Sequence, residues 1–454
     1  MNAPTATPAI PLTDAQHHRV DEAIAAVAGR LADPGRVAEI AGRDSNRDPI
    51  YHQVMWAPLT LSNGWPGVAT CYGELARSDP AWRAVAHSHL ERAVALAGEI
   101  PDRGLYAGPA SLLAAAQTIA GGAGHYAGMR ARLADWLATS VLTRLGRERG
   151  WSSYDLINGA AGTTRLLLDS AHDPAESGER VSSALSASLA HLVAISEPIT
   201  VDGHRVPGWW VPAHEQISDR DRAEYPEGDF NLGLAHGIPG PLAVLSHALR
   251  RGHEVDGQRG AIRRMAEWLL GWELFDDAGG YWPCRVSFAE QTAPRRMRHS
   301  SFTRTAWCYG APGVAAALHA AGSALGEPEW TGHALDALRA ALARQEAALA
   351  LDGPTLCHGY AGLLAVYAEV GSGDPVLRAG AARLVATVLG FADEDAPFVF
   401  PHWMRYPRGS APPGRSCTTA DVPGLLEGAA GVAATLHTVT RGGEPAWDRC
   451  LGLR

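Results

Sequence analysis

The sequence predicts an all-α fold: a closed double ring of seven inner and seven outer helices, carrying a small β-containing insertion. Three observations lead there. A pair of glycines three residues apart recurs along the chain, each copy opens an apolar run of helical length, and amphipathic segments alternate with those runs.

The glycine pairs define the repeat. "SNGWPGVAT" ends its pair at Gly67, "LINGAAGTT" at Gly162, "LAHGIPGPL" at Gly240, "WCYGAPGVA" at Gly313, "LCHGYAGLL" at Gly362 and "LLEGAAGVA" at Gly431. A degenerate copy, "GLYAGPASLL", keeps Gly108 and has Leu105 in place of the earlier glycine. One pair would mean little in a chain with 50 glycines, but seven copies are a repeat.

The runs that follow, such as "PGVAAALHAAG" and "AGLLAVYAEVG", are apolar almost all round and read as helices buried on every side. Between them lie one-sided helices. Leu133, Leu137, Val141 and Leu145 share a face, as do Val181, Leu185, Leu189 and Leu192. Ile262, Met265, Leu269 and Trp272 form another such face, with Arg263, Arg264 and Glu267 opposite. Each repeat is thus an outer helix plus an inner one, with glycines where the inner helix starts and backbones approach closely. Without a polar capping repeat, closure of the ring is expected, making residues 1–454 one domain with its array at about 55–440. Residues 199–230 have turn chemistry and β-branched, aromatic stretches, so a small β-containing insertion is expected there. The stretch "YWPCRVSFAEQTAPRRMRHSS" reads as a long loop bordering the site.

Composition excludes several chemistries. The chain has 454 residues, 46% hydrophobic and 19% charged, enough to bury a large core. It has no lysine, so all 39 basic residues are arginines. Schiff-base chemistry, a lysine-anchored pyridoxal cofactor and a phosphate-binding P-loop lysine are therefore excluded. A net charge of -9 and no long arginine cluster argue against nucleic-acid binding. The amino terminus lacks a secretory signal, no apolar run is long enough to span a membrane, and six scattered cysteines make no disulfide framework. A cytoplasmic location is expected, with peripheral association to a membrane biosynthetic complex.

Aligning the repeats on their first glycine gives a register. Just before it stand Asn63, Asn158, His236, Tyr309, His358 and Glu427; one position earlier stand Ser62, Ile157, Ala235, Cys308, Cys357 and Leu426. Equivalent positions in a closed ring share one rim. Cys308, Cys357 and His358, from successive repeats, are therefore expected to converge. Two thiolates and an imidazole suit one Zn²⁺, with a fourth position left open as in catalytic zinc sites. Cys71, Cys284, Cys417 and Cys450 lack this register and read as structural.

With "WCYGAPG", "CHGYAG" and "LAHGIPG" in place, the chain resembles the lanthionine synthetase C family, the cyclases of lanthipeptide biosynthesis, over residues 55 to 440. The resemblance implies an α/α toroid and one zinc held by two cysteines and a histidine. It also implies an enzyme that closes thioether rings by adding peptide cysteines to dehydroalanine or dehydrobutyrine. Carried over by position, Arg304 matches the family's active-site arginine, suited to an enolate. Tyr309 matches its tyrosine, and His236 its histidine, a proton donor or acceptor. Asp155 matches its aspartate, a base or an orienter for His236. His402 in "FPHWMRY" is a weaker candidate. The implied partner is a dehydrated precursor peptide, leader plus core. No kinase-like or lyase-like segment precedes the repeats, so a separate dehydratase is expected, in a complex that includes an exporter. Arg295, Arg296 and Arg298 are one place for a leader contact. The alternatives are another zinc-thiolate alkylating enzyme of prenyltransferase type, or a non-catalytic zinc-containing peptide-binding scaffold.

Overall fold

The computed structural model describes residues 6–98, 104–147, 150–293, 303–344, 346–406, 411–412, 414 and 416–454. The Arg295, Arg296 and Arg298 cluster lies outside them. Seven glycine-led inner helices occur among the described residues: Trp65–Leu75, Pro109–Ala120, Ala160–His172, Pro239–Arg250, Ala311–Leu325, Tyr360–Val370 and Ala429–Arg441. Nearly every residue of these helices is buried, which is why their sequences carry no polar face.

The glycine pair has a steric cause. A Cβ at Gly67, Gly162, Gly313 or Gly431 would meet the carbonyl oxygen six residues earlier at 2.1, 2.1, 2.3 and 1.8 Å respectively. The loop folds back over the first turn of its own inner helix, and any side chain there collides with backbone. Gly310 adds a second demand: its φ of +90° lies in the left-handed region, where a Cβ would also sit 1.5 Å from the Arg304 carbonyl oxygen.

The chain divides into two compact units, each built from the same repeat. The first comprises Met1–Asp102, Tyr106–Tyr126 and Leu351–Trp447. Within it Tyr360–Val370 packs on Ala429–Arg441, which packs on Trp65–Leu75, which packs on Pro109–Ala120. The seventh repeat therefore joins the first. Outer helices Trp82–Ala95 and Pro375–Leu389 cover their inner partners. The amino-terminal helix Asp14–Leu31 packs on Ala429–Arg441 and serves as its outer helix. It starts at a capping box formed by Thr13 and Gln16, and turns Val20, Ile24, Val27 and Leu31 inward.

The second unit comprises Arg103–Leu105, Ala127–Ala350 and Asp448–Arg454. Its inner helices pack in the order Ala160–His172, Pro239–Arg250, Ala311–Leu325. Outer helices Ala127–Arg144, Glu179–Ile195, Gln258–Gly271 and Pro328–Ala343 pack around them. Two of the faces expected from periodicity are buried, Val181, Leu185, Leu189 and Leu192 on one helix and Ile262, Met265 and Leu269 on another, while on the third Leu137 and Val141 are buried and Leu133 and Leu145 only partly so. Strands do occur in the 199–230 insertion. Ile199–Val201 and His204–Val206 form a hairpin, and Asp229–Asn231 pairs antiparallel with Arg285–Ser287. The described part of the stretch expected to be one long loop instead holds strand Arg285–Ser287 and helix Phe288–Thr292, which a Ser287–Glu290 capping box starts, and its remainder lies outside the described residues. Strands this short leave no readable alternation in sequence.

Candidate functional site

Asp155, His236, Arg304, Cys308, Tyr309, Cys357 and His358 each sit in, or just before, a loop leading into an inner helix. Their relative positions follow from backbone hydrogen bonds between successive repeats. In the first unit the Cys357 N–H donates to the Leu426 carbonyl at 2.8 Å, and the Leu426 N–H donates to the Ser62 carbonyl at 3.1 Å. In the second the Leu156 N–H donates to the Ala235 carbonyl at 3.1 Å, and the Ala235 N–H donates to the Cys308 carbonyl at 3.4 Å. Cys357, Leu426 and Ser62, and likewise Ala235 and Cys308, stand two before their first glycines and are laced to one another as their alignment anticipates; Leu156 stands three before Gly159, so that repeat is offset by one residue. One position on, the Asn63 amide donates to Glu427 Oε2 at 3.0 Å.

In the second unit His236 is the centre of a fixed group. Its Nδ1 lies 2.6 Å from Oδ2 of the fully buried Asp155, whose Oδ1 accepts the Asn158 N–H at 2.6 Å. A carboxylate only accepts, so Nδ1 carries the hydrogen and Nε2 is the ring atom left for other work. Burial disfavours charge on the imidazole, but the Asp155 carboxylate outweighs it and the pKa ends above its ordinary value. The Trp151 ring stacks on His236 with centroids 5.6 Å apart at 28°.

Tyr309 follows Cys308, and its hydroxyl accepts a hydrogen bond from the Asn231 amide at 3.1 Å. Burial pushes the phenol upward, so it stays a neutral donor. The turn at Gly233 lies against both residues: a Cβ there would meet the Tyr309 ring and the Cys308 carbonyl at 2.6 Å. Arg304 is partly buried in the same loop. Cys284 is half-buried, and desolvation raises its thiol to about 11, with the Arg304 backbone and charge opposing.

In the first unit His358 meets His402 edge-on, with ring centroids 5.5 Å apart at 70°. His402 is buried, burial pushes its pKa down to about 4, and its Nδ1 lies 3.2 Å from the Thr355 hydroxyl. It is a neutral ring packed against His358.

Cys308 lies in the second unit and Cys357 and His358 in the first, each just before the first glycine of its motif. Two thiols and one imidazole are the donor types of a catalytic zinc site, so the donor set fits a zinc ion. Cys71 and Cys450 are buried, and no described cysteine is in a disulfide.

Three supporting residues escape sequence reasoning: Trp151, Asn231 and Arg285. Each belongs to a stretch outside the glycine motif, where no register picks it out. A tryptophan four residues before Asp155 is the one local hint.

Comparison with known proteins bears on the family and the fold. The sequence pattern of "Lanthionine synthetase C-like protein" matches residues 55–451. The nisin biosynthesis protein NisC of Lactococcus lactis subsp. lactis is 26% identical over 216 residues, which are 47% of this chain and 48% of that protein. That alignment spans about half the length of the relative. The solved structure of nisin cyclase aligns with a TM-score of 0.72 at 20% identity, covering 97% of this chain and 98% of the other. The fold is therefore the α/α toroid of nisin cyclase. With its family pattern matched from residue 55 to 451, the chain belongs to the lanthionine synthetase C-like family.

Proposed function

We propose that the chain is a zinc-dependent lanthipeptide cyclase, in which the repeat array acts as a single domain. The observation that carries this reading is the family pattern matched from residue 55 to 451, whose glycine motifs hold Cys308, Cys357 and His358. Two thiolates and an imidazole would hold one Zn²⁺. When bound, the zinc supplies ionisation and placement of a peptide thiol whose ordinary pKa is about 8.5. His358 is held for this duty by its edge contact with His402.

The reaction joins that sulfur to the β-carbon of a dehydroalanine or dehydrobutyrine. The carbon–carbon π pair moves toward the carbonyl as an enolate, and the α-carbon then takes a proton. The product has the same mass as the substrate. His236 Nε2 is the proton carrier, and Asp155 orients it by holding Nδ1. The Tyr309 hydroxyl already accepts from Asn231, so its own hydrogen is available to donate to the developing oxyanion. Arg304 lends positive charge to the same oxygen.

The substrate is a dehydrated precursor peptide, leader plus core. A separate dehydratase prepares it, and an exporter complex receives it on the cytoplasmic side. Among the described residues no helix is long and apolar enough to cross a membrane. The test is incubation of the zinc-loaded chain with a dehydrated Ser/Thr/Cys peptide, followed by a thiol-alkylating reagent. Ring closure leaves the mass unchanged and the thiol unlabelled. Full labelling at full zinc occupancy overturns the reading.

A further inference from the structure

Asp155 fixes where His236 sits but not how its ring is turned. One hydrogen bond through Nδ1 does not by itself fix the tilt of the imidazole about its Cβ–Cγ bond, and a change of tilt would swing Nε2. The indole of Trp151, stacked at 5.6 Å and 28°, removes that freedom. Trp151 is itself buried, and its Nε1 has no hydrogen-bond partner, so no polar contact sets the angle of the indole. Its specific electrostatic contact is with Arg285, whose guanidinium carbon lies 4.8 Å from the indole centroid.

Arg285 is the most constrained side chain of this group. Its Nε donates to Asp229, its Nη1 to Asp221 at 2.7 Å and its Nη2 to Gln216, so every guanidinium nitrogen is engaged. The Tyr225 ring lies 4.1 Å from the same carbon. Arg285 is also the ladder partner of Asn231, the residue that donates to the Tyr309 hydroxyl. One short ladder therefore sets the stance of two reacting groups, His236 through Trp151 and Tyr309 through Asn231.

We propose that Trp151 and Arg285 are positioning residues for ring closure, holding the His236 imidazole at the angle that aims Nε2 at the substrate carbon. This rests on the cyclase reading above. Neither side chain touches substrate. Both act through His236, so their effect should vanish once His236 is gone.

The test is steady-state ring closure by the zinc-loaded full chain on a dehydrated peptide. Trp151→Ala is expected to lower kcat about 10- to 100-fold, with KM within about twofold and zinc content unchanged, because a mis-turned catalytic group costs rate rather than binding. Trp151→Phe keeps an aromatic face and should recover kcat to within about threefold of wild type. The Trp151→Ala, His236→Ala double variant should be no slower than His236→Ala alone. Arg285→Lys keeps the charge and loses the fork, so it should cut kcat about tenfold, and should do nothing further in a Trp151→Ala background. Should Trp151→Ala fail to fold, Trp151→Leu fills the space without an aromatic face, and the same fall in kcat is expected. The proposal is overturned if Trp151→Ala or Trp151→Leu turns over at the wild-type rate. It is equally overturned if the losses multiply in the double variant with His236→Ala. A wild-type chain that closes no ring overturns the cyclase reading itself, a result distinct from either of these.

Discussion

His236 Nδ1 and Asp155 Oδ2 are 2.6 Å apart, and the other oxygen of that carboxylate is held by the Asn158 N–H. Both oxygens of Asp155 are thus committed, one to the loop backbone and one to the imidazole. Such an aspartate orients a histidine rather than moving protons itself. Asp155→Asn should leave zinc content intact and lower the rate of ring closure at least about 100-fold, since an amide can present its N–H to Nδ1 and put the ring hydrogen on the wrong nitrogen. His236→Ala should behave similarly. Metal analysis alongside a thiol-labelling assay checks both, and zinc loss in Asp155→Asn would refute the assignment.

The glycines are predicted to be indispensable for a different reason. Gly431→Ala places a Cβ 1.8 Å from the Leu425 carbonyl oxygen, so the loop must move off its helix, at a cost expected to exceed about 2 kcal/mol. Gly332 lies in the outer helix Pro328–Ala343, where an added methyl would meet nothing within 4 Å, and Gly332→Ala should stabilise by about 0.5–1 kcal/mol. Thermal unfolding of the two variants should therefore move in opposite directions.

Acid stability has an identifiable source in the second unit. Arg165, Arg251 and Arg449 all reach Oδ1 of Asp169, at 2.6, 2.8 and 3.4 Å. Burial raises the Asp169 pKa, but the three arginines win and hold it at about 2. A depressed folded value means the contribution is fully present above the unfolded pKa of about 3.9 and is lost as pH falls through the folded one. That amounts to about 2 kcal/mol between pH 4 and 2. Asp169→Asn should be less stable at neutral pH and should lack this acid limb. Denaturant titrations at stepped pH separate the two cases, and parallel curves would contradict the prediction.

The legibility of the fold and site in sequence tracks the repeat. The glycine motif is a local steric device, so each copy can be found without knowing the others' positions in space. Its register carries over directly: Cys357 bonds to Leu426 and Leu426 to Ser62 through residues that alignment alone makes equivalent. Cys308 and His236 are readable by the same logic, whereas Asp155, four residues before Gly159, comes only from the resemblance to the family. Trp151, Asn231 and Arg285 are not readable, because they come from stretches between motifs: a ladder of three residues per strand pairs Asn231 with Arg285, and the Arg285 guanidinium lies over the Trp151 ring. The amino-terminal helix is a similar case. Its amphipathic face is ordinary, and only the packing of Val20, Ile24 and Val27 in the first unit marks it as the seventh outer helix.

The central claim is that Cys308, Cys357 and His358 hold one zinc ion. Elemental analysis of the chain purified without chelators, beside Cys308→Ala and Cys357→Ala, tests it most directly. The account predicts one zinc per wild-type chain and loss of zinc in both variants. A wild-type chain free of zinc, or variants that keep it in full, would contradict the claim.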